Sequence, residues 1–160
     1  MTNEISKYHT PQQAFLKVRD WCAYQERCQQ EARDKLYGYG LKSDDVENLI
    51  ARLIDENFVN EERFAKAFAG GKFRIKKWGK VKIKMELKAK RISDYCIQKG
   101  LKEIDGNEYI KTLKKVLEQK AKTITEKNHL KKKQKLVRYA IGKGFEQDLI
   151  FDVLSDDNSD

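Results

Sequence analysis

One apolar pattern recurs three times along this 160-residue chain, and it limits the possible folds more than any other feature. Ala32, Leu36, Leu41 and Val46 are spaced by four, five and five residues. Ile83, Leu87, Ile92 and Ile97 repeat that spacing 51 residues later, and Leu136, Ala140, Phe145 and Ile150 repeat it after a further 53. A four-residue step stacks two apolar side chains on one helical face, and the five-residue steps cross a turn to anchor the next helix. Self-similarity at such a period marks a repeat architecture in which each copy is one helical unit.

The residues around the pattern complete three helices per copy. Thr10-Pro11-Gln12-Gln13 has the form of a helix start, with Thr10 as N-cap, Pro11 at the first helical position and Gln13 able to close a capping box. Ala14, Phe15, Val18, Trp21 and Cys22 follow at helical spacing. Ser43-Asp44-Asp45 can cap a third helix that buries Val46, Leu49, Ile50 and Leu53. Phe64 and Phe68, then Tyr109, Leu113, Val116 and Leu117, mark the first helices of the later copies. The turn is Gly40-Leu41 in the first copy and Gly144-Phe145 in the third, where glycine can adopt a left-handed conformation. Arg91-Ile92 holds that place in the second, so Arg91 should be strained or force a different turn.

The expected fold is therefore all-α: three tandem three-helix repeats, each a helix-turn-helix-like unit, in an elongated, curved array. The expected divisions are a flexible N-terminus at 1–10, repeats at 11–58, 59–103 and 104–154, a loop near 123–130, and an acidic flexible tail at 155–160. Copies of about 50 residues are near the lower limit for independent stability and should borrow burial from their neighbours.

Charge is segregated as strongly as hydrophobicity. Residues 66–91 hold eleven Lys or Arg against Glu86, and residues 111–143 hold twelve against Glu118 and Glu126, so each window carries +10 in a chain of net charge +9. Such segregation is the electrostatic footprint of a polyanion-binding protein. The candidate contacts are Lys72, Arg74, Lys76, Lys77, Lys80, Lys82, Lys84, Lys88, Lys90 and Arg91 in the second copy. Lys131, Lys132, Lys133, Lys135 and Arg138, with Lys143 beyond them, form a second patch. Lys80, Lys84 and Lys88 fall at four-residue steps and form one helical ridge; like charges so placed lower helix stability, which favours a binding role over a merely solvated face. Trp78 could stack on a base, but packing between helices is the favoured reading. Arg63 in the first turn of its helix is expected to bridge to Glu31 or another acid across the copy boundary.

No catalytic constellation is present in the sequence. Asp44-Asp45 and Glu61-Glu62 sit where negative charge favours helix N-termini. There is no phosphate loop of Walker type, no Ser-His or Cys-His neighbourhood and no metal-ligand spacing, so an enzyme, a cofactor and a metal are not expected. Cys22, Cys28 and Cys96 are odd in number and far from His9 and His129, which argues against a disulfide framework or zinc. No signal-like N-terminus and no run of about 18 apolar residues is found, so a cytoplasmic monomer without membrane contact is expected.

Two stretches resemble the RecX family. Asn57-Phe58-Val59-Asn60-Glu61-Glu62-Arg63-Phe64-Ala65 is similar to its signature of an apolar pair, an acidic cap and Arg-Phe-Ala. Residues 77–93, Lys77-Trp78-Gly79 through Ile92-Ser93, are similar to its basic tract, glycine, isoleucine, and leucine followed by a turn. Ala23 to Ala32 is similar to the family's opening motif, with Cys28 where serine is usual and Ala32 where leucine is usual. The resemblance covers roughly residues 14–154. It implies a regulator that lies in the groove of the filament formed by the RecA recombinase on single-stranded DNA and inhibits or modulates recombination and co-protease activity. Weak, salt-sensitive binding of duplex DNA would be compatible with it. The alternative is a helix-turn-helix protein that reads duplex DNA directly.

Overall fold

Across residues 8–158, which the computed structural model describes, the chain forms nine α-helices and no strand. The first module comprises α1 (Pro11–Tyr24), α2 (Gln29–Gly38) and α3 (Ser43–Asp55). The second comprises α4 (Glu61–Gly71), α5 (Lys80–Ala89) and α6 (Asp94–Leu101), with a π-helical turn at Lys72–Lys76 between α4 and α5. The third comprises α7 (Gly106–Thr123), α8 (His129–Gly142) and α9 (Gln147–Asn158). Residues 124–128 join α7 to α8 without helical structure, and α9 continues four residues beyond position 154. Residues 1–7 of the expected N-terminal segment and 159–160 of the expected tail lie outside the described residues; His9 donates its backbone N–H to Tyr39 O at 3.1 Å.

All twelve residues of the repeated pattern are buried, none more than 9% exposed. The turn after the middle helix closes in the second and third modules by the same two bonds. Arg91 N–H donates to Lys88 O and Ile92 N–H to Leu87 O; Gly144 N–H donates to Ile141 O and Phe145 N–H to Ala140 O. That pairing requires a left-handed residue. Gly40 (φ 84°) and Gly144 (φ 98°) adopt it readily, and Arg91 is forced into it at φ 63°. Thr10 and Gln13 form the expected capping box. Ser43 does not cap α3: Lys42 is the N-cap without a side-chain bond, and the Ser43 hydroxyl lies 3.2 Å from that of Tyr37.

The three modules make two cores rather than three. Ala14, Phe15, Val18, Leu36, Val46 and Leu53 fill the first module alone. The second and third share one continuous core from Phe64 and Ile83 through Tyr109 and Leu113 to Phe145 and Ile150. Cys28, at the N-cap of α2, is buried in this second core, and its backbone N–H donates to Glu31 Oε1 at 3.1 Å. Its neighbour across the joint is charged. Arg63 pairs with Glu26 at 2.6 Å, not with Glu31; Glu31 pairs with Lys90 at 3.8 Å. Arg63 also donates to Asn57 O and Phe58 O, tying α4 to the end of the first module.

The seam between the second and third modules is tighter. A helix N-terminus leaves N–H groups without intrahelical partners, and α5 donates three of them into the third module. Gly79 N–H meets Lys143 O at 2.8 Å, Val81 N–H meets Gly144 O at 2.9 Å, and Lys80 N–H meets the Tyr109 hydroxyl at 2.9 Å. Tyr109 in turn donates to the Glu146 carboxylate. Burial, then this bond, raises the Tyr109 pKa above its ordinary value, so the phenol stays protonated. Its ring lies between Phe73, 5.8 Å away, and Phe145, 5.3 Å away. The approach is possible because residue 79 has no side chain: a Cβ there would stand 2.3 Å from the Gly144 carbonyl and the Phe145 nitrogen.

Three substitutions test this. Tyr109→Phe leaves Lys80 N–H and Glu146 without a partner and should lower unfolding free energy by about 1–3 kcal/mol. Gly79→Ala should cost about 3 kcal/mol or more by forcing the seam apart. Arg91→Gly should raise stability by about 1 kcal/mol by relieving the left-handed strain. Urea titration of each variant measures these differences.

Candidate nucleic-acid interface

The π-helical turn positions the first group of candidate residues. It ends at Lys77, whose left-handed backbone (φ 57°) reverses the chain into Trp78 and Gly79 before α5 begins. Turns of this kind are rare and occur preferentially where side chains are re-aimed for function. Lys76 and Lys77 are exposed, and Lys77 Nζ is held at 2.7 Å by Arg74 O. Arg74 folds its guanidinium over Gly70, where a Cβ would come within 2.8 Å. Trp78 is half-buried, with its edge against Phe68 at 6.4 Å; Lys72 and Lys82 lie 5.0 and 4.6 Å from its ring centre. The indole therefore packs between helices, and the two ammonium groups cover its face.

The α5 lysines divide between faces. Ile83 and Leu87 point into the core, and Lys80, Lys84 and Lys88 run along one flank. Lys80 is half-buried with its ammonium 4.7 Å from the Tyr109 ring centre, so it supports the seam, whereas Lys84 is half-buried and Lys88 exposed. Lys82 lies roughly 160° around the axis from Lys80, on the Trp78 side. Lys90 is engaged with Glu31 across the module joint. Arg91 is exposed on the strained turn.

The α8 residues do not form one patch. Lys131, Lys132 and Lys133 lie near its start and Lys143 is its C-cap, about 16 Å apart along the axis. Lys135 pairs with Glu126 at 4.0 Å. Lys133 and Arg138 border an apolar groove of about 650 Å³ lined by Leu130, Val137, Ile141 and Phe151. Lys143 belongs with the second module, because its ammonium donates to Lys76 O at 2.7 Å. Burial, with the nearby charges of Lys82 and Lys76, holds its pKa below the ordinary lysine value. Sequence spacing could not reveal this, since 67 residues separate the two lysines.

Other chemistry finds no support. Burial pushes the Cys22 thiol up to about 11 and the Cys28 thiol up to about 12, so both are neutral and poor nucleophiles. Among the described residues, no three His, Cys, Asp or Glu side chains are grouped to hold a metal, and no helix is long and apolar enough to cross a membrane. The helices that would enter a major groove, α3, α6 and α9, begin with exposed Asp44, Asp94 and Asp148, which would repel phosphates.

Comparison with known proteins agrees with this architecture. Residues 60–101 match the family model of the second three-helix domain of RecX, and residues 107–154 match that of the third. The chain is 24% identical over 139 residues to proteins named regulatory protein RecX from Bacillus cereus strain G9842 and from Bacillus cytotoxicus. The alignment takes in 87% of this chain and 52% of each relative, so the chain spans about half the length of the curated relatives it matches. The crystal structure of RecX from Lactobacillus salivarius superposes with a TM-score of 0.81 at 21% identity, covering 91% of this chain and 95% of that one. A second crystal structure, of a regulatory protein RecX, gives 0.83 at 17% identity, covering 91% and 71%. The two matched domains occupy more than half of the chain and coincide with the two modules that share a core, so the protein belongs to the RecX family.

Proposed function

We propose that this chain is a non-enzymatic, monomeric, cytoplasmic regulator that lies in the groove of the RecA filament on single-stranded DNA. There it inhibits or modulates the recombinase and co-protease activities. The observation that carries this reading is a set of cations without acidic partners: one group on the π-helical turn, the Trp78 side of α5 and the end of α8, and a second, Lys84 and Lys88, on the other flank of α5. Lys76, Lys77, Lys82, Lys84, Lys88 and Lys143 make no ion pair with an acid among the described residues, so their charge is available to a polyanion. Two modules that share one core hold them, which suits recognition of a regular, repeating anionic groove. Release of counterions from the DNA would supply much of the affinity. Direct reading of duplex sequence has less support, since the acidic starts of α3, α6 and α9 oppose entry into a groove.

The test is ATP hydrolysis by RecA on single-stranded DNA with this protein titrated in. Suppression is expected. Lys84→Glu/Lys88→Glu should weaken suppression at least about tenfold, with a thermal midpoint close to wild type because both side chains lie outside the core. Unchanged hydrolysis at saturating wild-type protein would contradict the proposal. A defined duplex site with a large specificity ratio would favour the direct DNA reader.

A further inference from the structure

A cavity of about 300 Å³ opens where the second and third modules meet, and its walls carry an unusual charge. Lys77 reaches it from the turn before α5, Lys120 from the last turns of α7, and Lys143 from the end of α8. Val116 contributes to the lining, together with Thr123 and Tyr139. No carboxylate lines the cavity, and none of the three lysines pairs with an acid among the described residues.

These ammonium groups are held rather than free. Lys77 Nζ bonds Arg74 O and Lys143 Nζ bonds Lys76 O, both at 2.7 Å, while Lys120 Nζ lies 4.6 Å from the Tyr139 ring centre. Three like charges line one half-enclosed space with no acid among the described residues to offset them, and burial, with Lys82 and Lys76 close by, adds to the cost of keeping Lys143 charged. Lys77 and Lys143 retain donors beyond their backbone bonds and the Lys120 ammonium makes no such bond among the described residues, so the arrangement suits an anion with several acceptor oxygens spread over a tetrahedron.

We propose that this cavity is a phosphate-binding subsite, formed by Lys77, Lys120 and Lys143, that takes one backbone phosphodiester of a single strand and clamps the second module to the third. The proposal rests on the reading that the chain contacts single-stranded DNA, and it adds the α7 residue Lys120, which lies outside both basic patches nominated from sequence. A phosphodiester and a free phosphate offer the same oxygens, and they are separated as follows.

Anisotropy of a labelled oligothymidylate lacking terminal phosphates is measured without recombinase across a salt series, for wild type, Lys120→Gln/Lys143→Gln and Lys114→Gln/Lys115→Gln. The last pair removes the same charge from exposed positions on α7 outside the cavity. The cavity variant should bind about tenfold more weakly and lose about 1.4 from the slope of log K against log salt, at about 0.7 per lost contact. The control should change affinity less than about twofold. Lys120→Gln alone, which leaves the Lys143 tether intact, should give about a threefold loss without a lower thermal midpoint. Equal effects of the cavity and control pairs would overturn the subsite. Inorganic phosphate that raises the wild-type midpoint over chloride of equal ionic strength, but not that of the cavity variant, would overturn the strand assignment in favour of a free anion. If wild type leaves RecA hydrolysis unchanged yet the cavity effect on bare strands is present, the filament reading fails and the subsite stands. Suppression of hydrolysis without the cavity effect overturns the subsite alone.

Discussion

The structure depends on one junction, where the N-terminus of α5 runs into the C-terminus of α8. Three successive amides, of Gly79, Lys80 and Val81, find acceptors in the third module and none in a side-chain cap. The helix dipoles meet positive end to negative end, which adds about 0.3–1 kcal/mol of attraction. Only glycine at 79 allows the backbones this close, and Gly144 is needed opposite it because a Cβ there would stand 2.3 Å from Lys82 Cβ. Two three-helix units too small to be comfortably stable alone thereby become one body with one core.

Charge placement follows from this junction. Lys143, at the end of α8, is delivered beside Lys76, and Lys77 is delivered beside Lys120. The cationic surface therefore belongs to neither module separately. The repulsion it stores is sustained by the shared apolar core, and relief of that repulsion by an anion would stabilise the assembled state. The joint to the first module is of a different kind, made by Arg63 with Glu26 and Lys90 with Glu31, half-exposed ion pairs worth little individually. The first module keeps its own core and is the less tightly held partner.

Much of the fold was legible in the sequence because it resides in local periodicity. The four-five-five pattern named twelve core residues, Thr10 and Gln13 named a capping box, and the glycine turns exposed the strain at Arg91. What could not be read depends on contacts between distant segments. The choice of Glu26 over Glu31 by Arg63 rests on how α4 meets the α1–α2 connection. The role of Tyr109 as acceptor, donor and ring contact is invisible in a helical apolar stripe. Among site residues, the Lys80–Lys84–Lys88 spacing was correct for one flank, but the sequence could not show that Lys80 covers Tyr109 or that Lys90 is engaged by Glu31. Lys131 to Lys133 and Lys143 share a basic window yet lie at opposite ends of α8.

Native-state hydrogen exchange tests the central claim most directly, because it reports the opening free energy of each cooperative unit. If the α5–α8 junction fuses the two modules, amides of Ile83, Leu87, Leu113 and Ala140 will share one opening free energy, and those of Gly79 and Val81 will match it. The first-module core, at Leu36 and Leu53, will open at a lower value. Separate opening of the second and third modules, or early exchange at Gly79 and Val81, would contradict the account.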